Sequence, residues 1–356
     1  MGGEVPLEAA FSAAAAARSP QKKRSPWTTE ALQRRREQAS PWAPRVDVVI
    51  HSVLHDLQET AVCQHRQKRL TQRLDRILKD VYGEQAVLKV FGSTVCSLAC
   101  KNSDLDMTFT PGRSKSLSIS EKKTALRKVA KELQSHGMRA VPVLGARVPI
   151  VKIRDQSDTW LAVDLSVEND LPVFKSRLLH EYTLIDARFA KLVQLVKAWA
   201  KTRQINSAAQ GTFNSFGLSL LVLHYLQNVE PPVLPRLNEA TLELRGDARL
   251  RAAVGVSDTR LFAKPARVLG TCDGITICHH THQHLVGWGS ENIASLAALT
   301  RGFFEYYSRH FSWDRQVVSV TLPGMVLKSS VAFHEGQQTN VCIQDPLDQS
   351  DNCARR

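Results

Sequence analysis

Ser103-Asp104-Leu105-Asp106-Met107-Thr108-Phe109 alternates strictly, with Asp104, Asp106 and Thr108 on one side and Leu105, Met107 and Phe109 on the other. A period of two predicts a strand whose apolar face lines a core. On the opposite face two carboxylates stand two residues apart, and such anions repel unless they are solvated, protonated or bridged by a cation. A divalent metal resolves the conflict; a merely solvated face has no need of Asp twice in an otherwise β-favouring segment. Upstream, Ala86-Val87-Leu88-Lys89-Val90-Phe91 reads as another strand, followed by the turn Gly92-Ser93 and a segment, Thr94 to Cys100, expected to start a helix. That order suits a phosphate: Gly92 admits the anion to the backbone, Ser93 offers a hydroxyl and a helix start offers N–H groups. Downstream, Leu161 to Val167 alternates again and puts Asp164 on a face with the small Ala162 and Ser166. The strand before it, Val148 to Arg154, carries Lys152 and Arg154 on one side, placed to meet a nucleic-acid backbone. Three carboxylates on neighbouring strands predict a two-metal site. Mg2+ takes oxygen ligands and bridges carboxylates to substrate phosphates, so the implied reaction is phosphoryl or nucleotidyl transfer.

The rest of the chain bounds this reading. Its 356 residues are enough for two or three domains, and 47 Lys+Arg against 34 Asp+Glu leave a charge of +13, which makes a polyanion the expected partner. The 7 cysteines include no C-x-x-C pair and read as reduced thiols, which excludes a disulfide-built secreted scaffold. The most apolar stretch, Leu218 to Leu226, is interrupted by Ser219, His224 and Tyr225 and falls short of the ~20 residues of a membrane span, so no membrane partner is expected. Residues 1–45 form a basic Ala-, Ser-, Pro- and Arg-biased extension. That bias favours a mitochondrial targeting segment; Glu4 and Glu8 oppose it, leaving a disordered basic arm of a cytoplasmic protein as the alternative. Val46 to Tyr82 reads as one or two basic-faced helices, and Asp186 to Arg203 as a helix burying Phe189, Leu192, Val193, Leu195, Val196 and Trp199 with Lys197 and Lys201 on one face. Cys272, Cys278, His279, His280, His282 and His284 match no zinc-finger spacing, and a polar loop is favoured over a structural metal.

The order Gly92-Ser93, Asp104-Leu105-Asp106, Asp164 resembles the DNA polymerase β-like nucleotidyltransferases. Leu178 to Arg203, Gly211 to Gly217 and the stretch YLQNVEPPVLPRL narrow the resemblance to the terminal uridylyltransferase and poly(A) polymerase-like RNA nucleotidyltransferases. Ile343-Gln344-Asp345-Pro346-Leu347-Asp348 is similar to that family's D-P-F-E nucleotide-recognition motif. With only 57 residues between Asp106 and Asp164, the chain looks most like the small trypanosomatid members.

The resemblance implies an α/β (α+β) architecture: a small mixed-sheet catalytic domain over 46–172, whose first helix can pack on the second domain, and a mostly helical poly(A) polymerase-associated domain over 173–356, with the active site in the cleft between them. It implies Asp104, Asp106 and Asp164 as catalytic metal ligands for two Mg2+ ions, with Mn2+ as a substitute. Gly92, Ser93, Lys197, Lys201 and Ser215 would hold the triphosphate, and Asn169 and Ser176 would be further nucleotide contacts. Phe216 would stack on the base, and Asp345 and Asp348 would read the N3 hydrogen of uracil. Asp348 stands where the family has the longer Glu, Asp351 falls where some members carry a base-selecting His, and Lys175 replaces a sugar-contacting Asn. The expected activity is addition of UMP from UTP to a single-stranded RNA 3′ end, with an RNA-processing or editing complex as protein partner. ATP-using poly(A) polymerase activity and an inactive RNA-binding scaffold are the alternatives. A closing helix is expected over Asn292 to His310.

Overall fold

The computed structural model describes residues 43–101, 103–112, 116–155, 158–237, 267–272, 275–279 and 281–354. The extension up to residue 42 and His280 lie outside them, as do the side chains of Cys272, Cys278 and His284, so the cysteine–histidine cluster is not described. Among the described residues no helix is long and apolar enough to cross a membrane. The chain divides into two compact units, one of residues 51–184 with 271–274 and one of the remainder.

The first unit is built on a five-stranded sheet. Helix α1 (Ala43–Leu57) enters it, and α2 (Ala61–Tyr82) follows, N-capped by Thr60. Next come β1 (Val87–Phe91), β2 (Leu105–Thr110), α3 (Ile119–Ser135), β3 (Met138–Val143), β4 (Ile150–Asp155), β5 (Asp158–Val167) and α4 (Leu171–Ile185). The strand order is β1-β2-β5-β4-β3, with β2 and β5 parallel and every other pair antiparallel. The mixed sheet follows from connectivity: the passage from β2 to β5 runs through α3 and the β3–β4 hairpin, and such a crossover returns a strand parallel to its start. Leu105, Met107, Phe109, Val163, Leu165, Val151 and Ile153 form one core with Leu74, Ile77 and Leu78 of α2 and Leu126, Val129 and Leu133 of α3. Helices α2 and α3 thus cover one face of the sheet, and the alternating residues Asp106, Asp164 and Lys152 stand on the other. Capping is complete at α3, where Ser118 and Glu121 form a reciprocal capping box. Arg73 of α2 ties the layers, reaching Asp155 at 2.9 Å and the carbonyl of His136 at 2.6 Å.

Two expectations change here. Thr94 to Cys100 is not helical: a turn runs through Ser97, whose φ of 58° breaks any helix, and Leu98 donates back to the Ser93 carbonyl at 3.0 Å. Helix α4 belongs to the first unit, so the division falls at Leu184 rather than at residue 172.

The second unit is mainly helical. Helix α5 (Ala187–Thr202) is N-capped by Asp186, and α6 (Ser215–Asn228) is N-capped by Asn214. The run Gly217 to Gln227 is buried throughout, which is why its sequence is apolar on all sides. Trp199 is 39% exposed, not buried, and meets Phe304 edge-on at 4.8 Å. After β6 (Arg267–Cys272) and β7 (Ile275–His279), the closing helix α7 spans only Leu296–Glu305 and continues as a π turn, Tyr306–His310. Its expected first turn is instead extended, because Asn292 is drawn inward to the Pro231 carbonyl at 2.5 Å and Ser295 caps the helix. Arg188 holds that approach, pairing with Asp186 and donating to the carbonyls of Gly289, Asn292 and Ala294. Two short strands, β8 (Gln316–Val317) and β9 (Val326–Leu327), precede the C-terminal turns.

Candidate functional site

In the first unit the sheet brings the carboxylates together. Asp106 lies in register with Asp164 across the parallel β2–β5 pair, and Asp164 faces Lys152 across β4. Asp104 stands just before β2 and is exposed. The Lys152 ammonium is 3.8 Å from Asp164. So Lys152 adjoins the carboxylates themselves, while Arg154, two residues on, lies on the same face. Burial lifts the Asp164 carboxyl above its ordinary range; Lys152 opposes this and the negative charge of Asp104 adds to it.

Gly92 follows β1 with φ +79°, and a Cβ there would collide with the Asp106 carboxylate. The glycine is needed for both reasons, conformation and space. Its N–H donates to Ser176 Oγ at 2.7 Å, and Ser176 in turn donates to the Pro172 carbonyl at 2.8 Å. Ser176 is buried and fixes the Gly92 turn. Ser93 is half-buried beside it, and the half-buried Asn169 is set by its own N–H to Thr108 Oγ1 at 3.0 Å.

These residues fit divalent ions. Their donors are hard carboxylate oxygens, two of them in register, beside a glycine that leaves Asp106 unobstructed. Among the described residues no three His, Cys, Asp or Glu side chains form a ready-made ligand group. Mg2+ suits such a set because it binds through a few carboxylates and completes its shell with water and phosphate oxygens.

The second unit assembles a different set. Asn214 accepts from Gly217 N–H at 2.6 Å and donates to the Cys353 carbonyl at 2.8 Å, tying the C-terminal turn to the start of α6. Exposed Ser215 and half-buried Phe216 stand at that start. On α5, Lys197 is buried and Lys201 exposed one turn on.

The aspartates of the last motif separate in role. Asp345 is fully buried; it accepts from the N–H groups of Leu347 and Asp348 and from Cys353 Sγ at 3.4 Å. It therefore shapes the turn, and its expected contact with a base is not supported. Asp351 is also buried and closes the same turn through its backbone, donating to the Asp348 carbonyl. Asp348 keeps 27% of its side chain exposed. Burial pushes its pKa up, but hydrogen bonds from Ser350 and the nearby His334 outweigh this and hold it below the ordinary carboxylate value.

His334 is a residue that sequence reasoning passed over. Its Nε2 is 2.8 Å from Ser350 Oγ and 3.7 Å from Asp348, and its backbone N–H donates to the Ser350 carbonyl. Nothing local marked it, because a different turn supplies it to the motif.

A mixed sheet with three aspartates on or just before two neighbouring strands, a glycine turn against one of them and a helical unit define a nucleotidyltransferase-type protein. Comparison agrees: residues 46–184 match the central palm domain of mitochondrial-like poly(A) RNA polymerase, and 295–351 match the Cid1 family poly A polymerase domain. The two matches fall in the order that the sequence resemblance implies, a nucleotidyltransferase palm followed by a poly A polymerase-type domain. It is 27% identical over 300 residues to poly(A) RNA polymerase GLD2 of Rattus norvegicus, covering 82% of this chain and 55% of that protein. It is 28% identical over 310 residues to terminal uridylyltransferase cid1 of Schizosaccharomyces pombe, covering 82% and 69%. The solved structure of a cytoplasmic RNA terminal U-transferase superposes with a TM-score of 0.71 at 26% identity, covering 89% of this chain and 88% of that one. The chain spans about half the length of the GLD2 relative, 55%.

Proposed function

We propose that the chain is a template-independent RNA 3′-terminal uridylyltransferase. The observation that carries this is the register of Asp106 with Asp164 beside the unobstructed Gly92 turn. In the reaction, the RNA 3′-hydroxyl oxygen bonds to the α-phosphorus of UTP as the bond to the pyrophosphate oxygen breaks. Asp164 takes the hydroxyl proton or orients the water that does. Two Mg2+ ions on Asp104, Asp106 and Asp164, with Mn2+ as a substitute, would lower the hydroxyl pKa and offset the charge of the triphosphate. Gly92 and Ser93 border the transferred phosphate, while Lys197, Lys201 and Ser215 serve the leaving pyrophosphate. Asn169 meets the sugar side, and Lys152 and Arg154 serve the RNA backbone. Phe216 stacks on the base.

Base choice falls to Asp348 and His334. Uracil presents an N3–H donor beside an O4 acceptor; an ionised Asp348 accepts the first and a His334 N–H donates to the second. Adenine presents the reverse pair. His334→Ala is expected to cut the preference for UTP over ATP about tenfold, since one unmade hydrogen bond at a discriminating edge is worth ~1–2 kcal/mol. Competitive incorporation from mixed nucleotides reads this ratio. A mitochondrial RNA-processing or editing complex is the setting that the basic extension favours.

The deciding test extends a labelled RNA with each of the four nucleoside triphosphates separately, in Mg2+ and in Mn2+, with Asp104→Ala as control. Addition of UMP alone supports the reading. Addition of AMP moves the chain to the second reading, a poly(A) polymerase, which its likeness to GLD2 and the short Asp348 favour. Metal-independent addition, or none, overturns both.

A further inference from the structure

The open face of the sheet carries cations beyond the two already assigned. Across the antiparallel β4–β5 pair, Arg154 is in register with Ala162; across β3–β4, Arg139 is in register with Arg154 and Val141 with Lys152. Residues paired across a ladder share a face, so Arg139 stands on the side that bears Asp106 and Asp164. Strand β3 is the edge of the sheet. Arg139 is exposed, Val141 is 46% exposed beside it, and among the described residues Arg139 has no acidic partner.

Two features make this arrangement costly for the fold alone. Like charges directly opposite each other on antiparallel strands destabilise the pair, and Arg139 meets Arg154 in that way. An edge strand is guarded from aggregation by a single charge of either sign, so guarding does not require a second cation opposite Arg154. A polyanion crossing the sheet would relieve the repulsion. The row runs from Arg139 past Arg154 to Ala162, which stands two residues before Asp164 on the same face.

We propose that Arg139 is an RNA-binding residue, the outer end of a backbone track that crosses the strands from the carboxylates to the edge of the sheet. This rests on the RNA-extending reading above and adds a position to it. Strands lie ~4.8 Å apart, so β3 is about 10 Å from β5. Arg139 therefore meets a backbone phosphate upstream of the 3′-terminal nucleotide, beyond the reach of a dinucleotide. The contact is to the backbone, so it is blind to sequence and sensitive to salt.

Arg139→Glu tests this with readouts that move in opposite directions. The substitution places opposite charges across β3–β4, so the thermal midpoint should hold or rise. The KM for an RNA of ten nucleotides should rise roughly tenfold, with the salt dependence of binding reduced by about one phosphate contact, and a dinucleotide primer should be affected less than twofold. Fluorescence anisotropy with the same RNAs reads affinity without any extension. An equal KM and affinity for the long RNA in variant and wild type would overturn the track. So would an equal loss on the dinucleotide, or a fall in both stability and affinity. Failure of the underlying reading looks different: the wild type then extends no RNA at all.

Discussion

Asp164→Asn is expected to abolish nucleotide addition and at the same time raise the thermal midpoint of the metal-free protein. The isosteric amide keeps the volume of the side chain and removes its charge. In EDTA the carboxylate is costly: burial and the charge of Asp104 push its pKa up, and Lys152 only partly compensates. The sign follows from linkage. A carboxyl with a raised pKa in the folded state binds its proton more tightly there than in the unfolded chain, so the folded state loses relative stability as pH rises from 3.8 through the raised value. The advantage of Asn over Asp should therefore be full at neutral pH, fade on acidification through the raised value and be gone below about pH 4. Lys152, left without its partner, has 60% of its side chain exposed and is readily solvated. Adding Mg2+ with UTP should reverse the order, because ligands that bind only the folded wild type stabilise it by mass action. Melting curves at pH 7 and pH 4, with EDTA or with Mg2+ and UTP, give all four comparisons. A lower midpoint for the variant in EDTA at pH 7 would show that Asp164 is chiefly a structural charge and would contradict the assignment of a functional carboxylate held under strain.

Much of this site is legible in the sequence because strands advertise their faces. Asp106 and Asp164 each sit in a strictly alternating segment, and alternation alone puts them opposite a core of Leu105, Met107, Val163 and Leu165. What alternation cannot give is the neighbour. That Lys152 lies against Asp164, and Arg139 against Arg154, depends on strand order and register, which are set by hairpin and crossover geometry. The same limit explains Ser176, whose hydroxyl is consumed by Gly92 from 84 residues away. It also explains the last motif, where Asp345 and Asp348 look equivalent in the chain but differ in burial. Asp345 turns inward to satisfy backbone N–H groups of its own turn, a frequent use of Asp in tight turns. His334 became visible only when the turn at 331–337 closed onto Ser350. The helix expected after Gly92 failed for a local reason, since Ser97 adopts a left-handed backbone, which is uncommon for a residue other than glycine and ends any helix.

Gly92→Ala should lower activity at least 100-fold while leaving the fold intact, and it separates geometry from charge in this site. Two penalties act together. Alanine at φ +79° costs roughly 1 kcal/mol relative to glycine, a loss the domain can absorb. Its Cβ would also collide with the Asp106 carboxylate, and one of the two must move. The Gly92 N–H is held by Ser176, a residue of α4 whose hydroxyl donates to the Pro172 carbonyl, so the turn is anchored and it is the end of the Asp106 side chain that has to shift. The displacement therefore falls on the functional group, and a shift of about 1 Å at a reacting centre is enough for a hundredfold loss. The loss should appear in kcat, since Phe216, Asp348 and His334, the residues proposed for the base, lie in the other unit and not on the Gly92 turn. Ser176→Ala gives the complementary result. It frees the Gly92 turn without filling any space, so in the Gly92→Ala background it should restore part of the lost rate even though each substitution alone is harmful. The double-mutant cycle measures that coupling directly. Additive losses would mean that the turn and Asp106 are not in mechanical contact, and that the conformation of Gly92 matters for some reason other than room for the carboxylate.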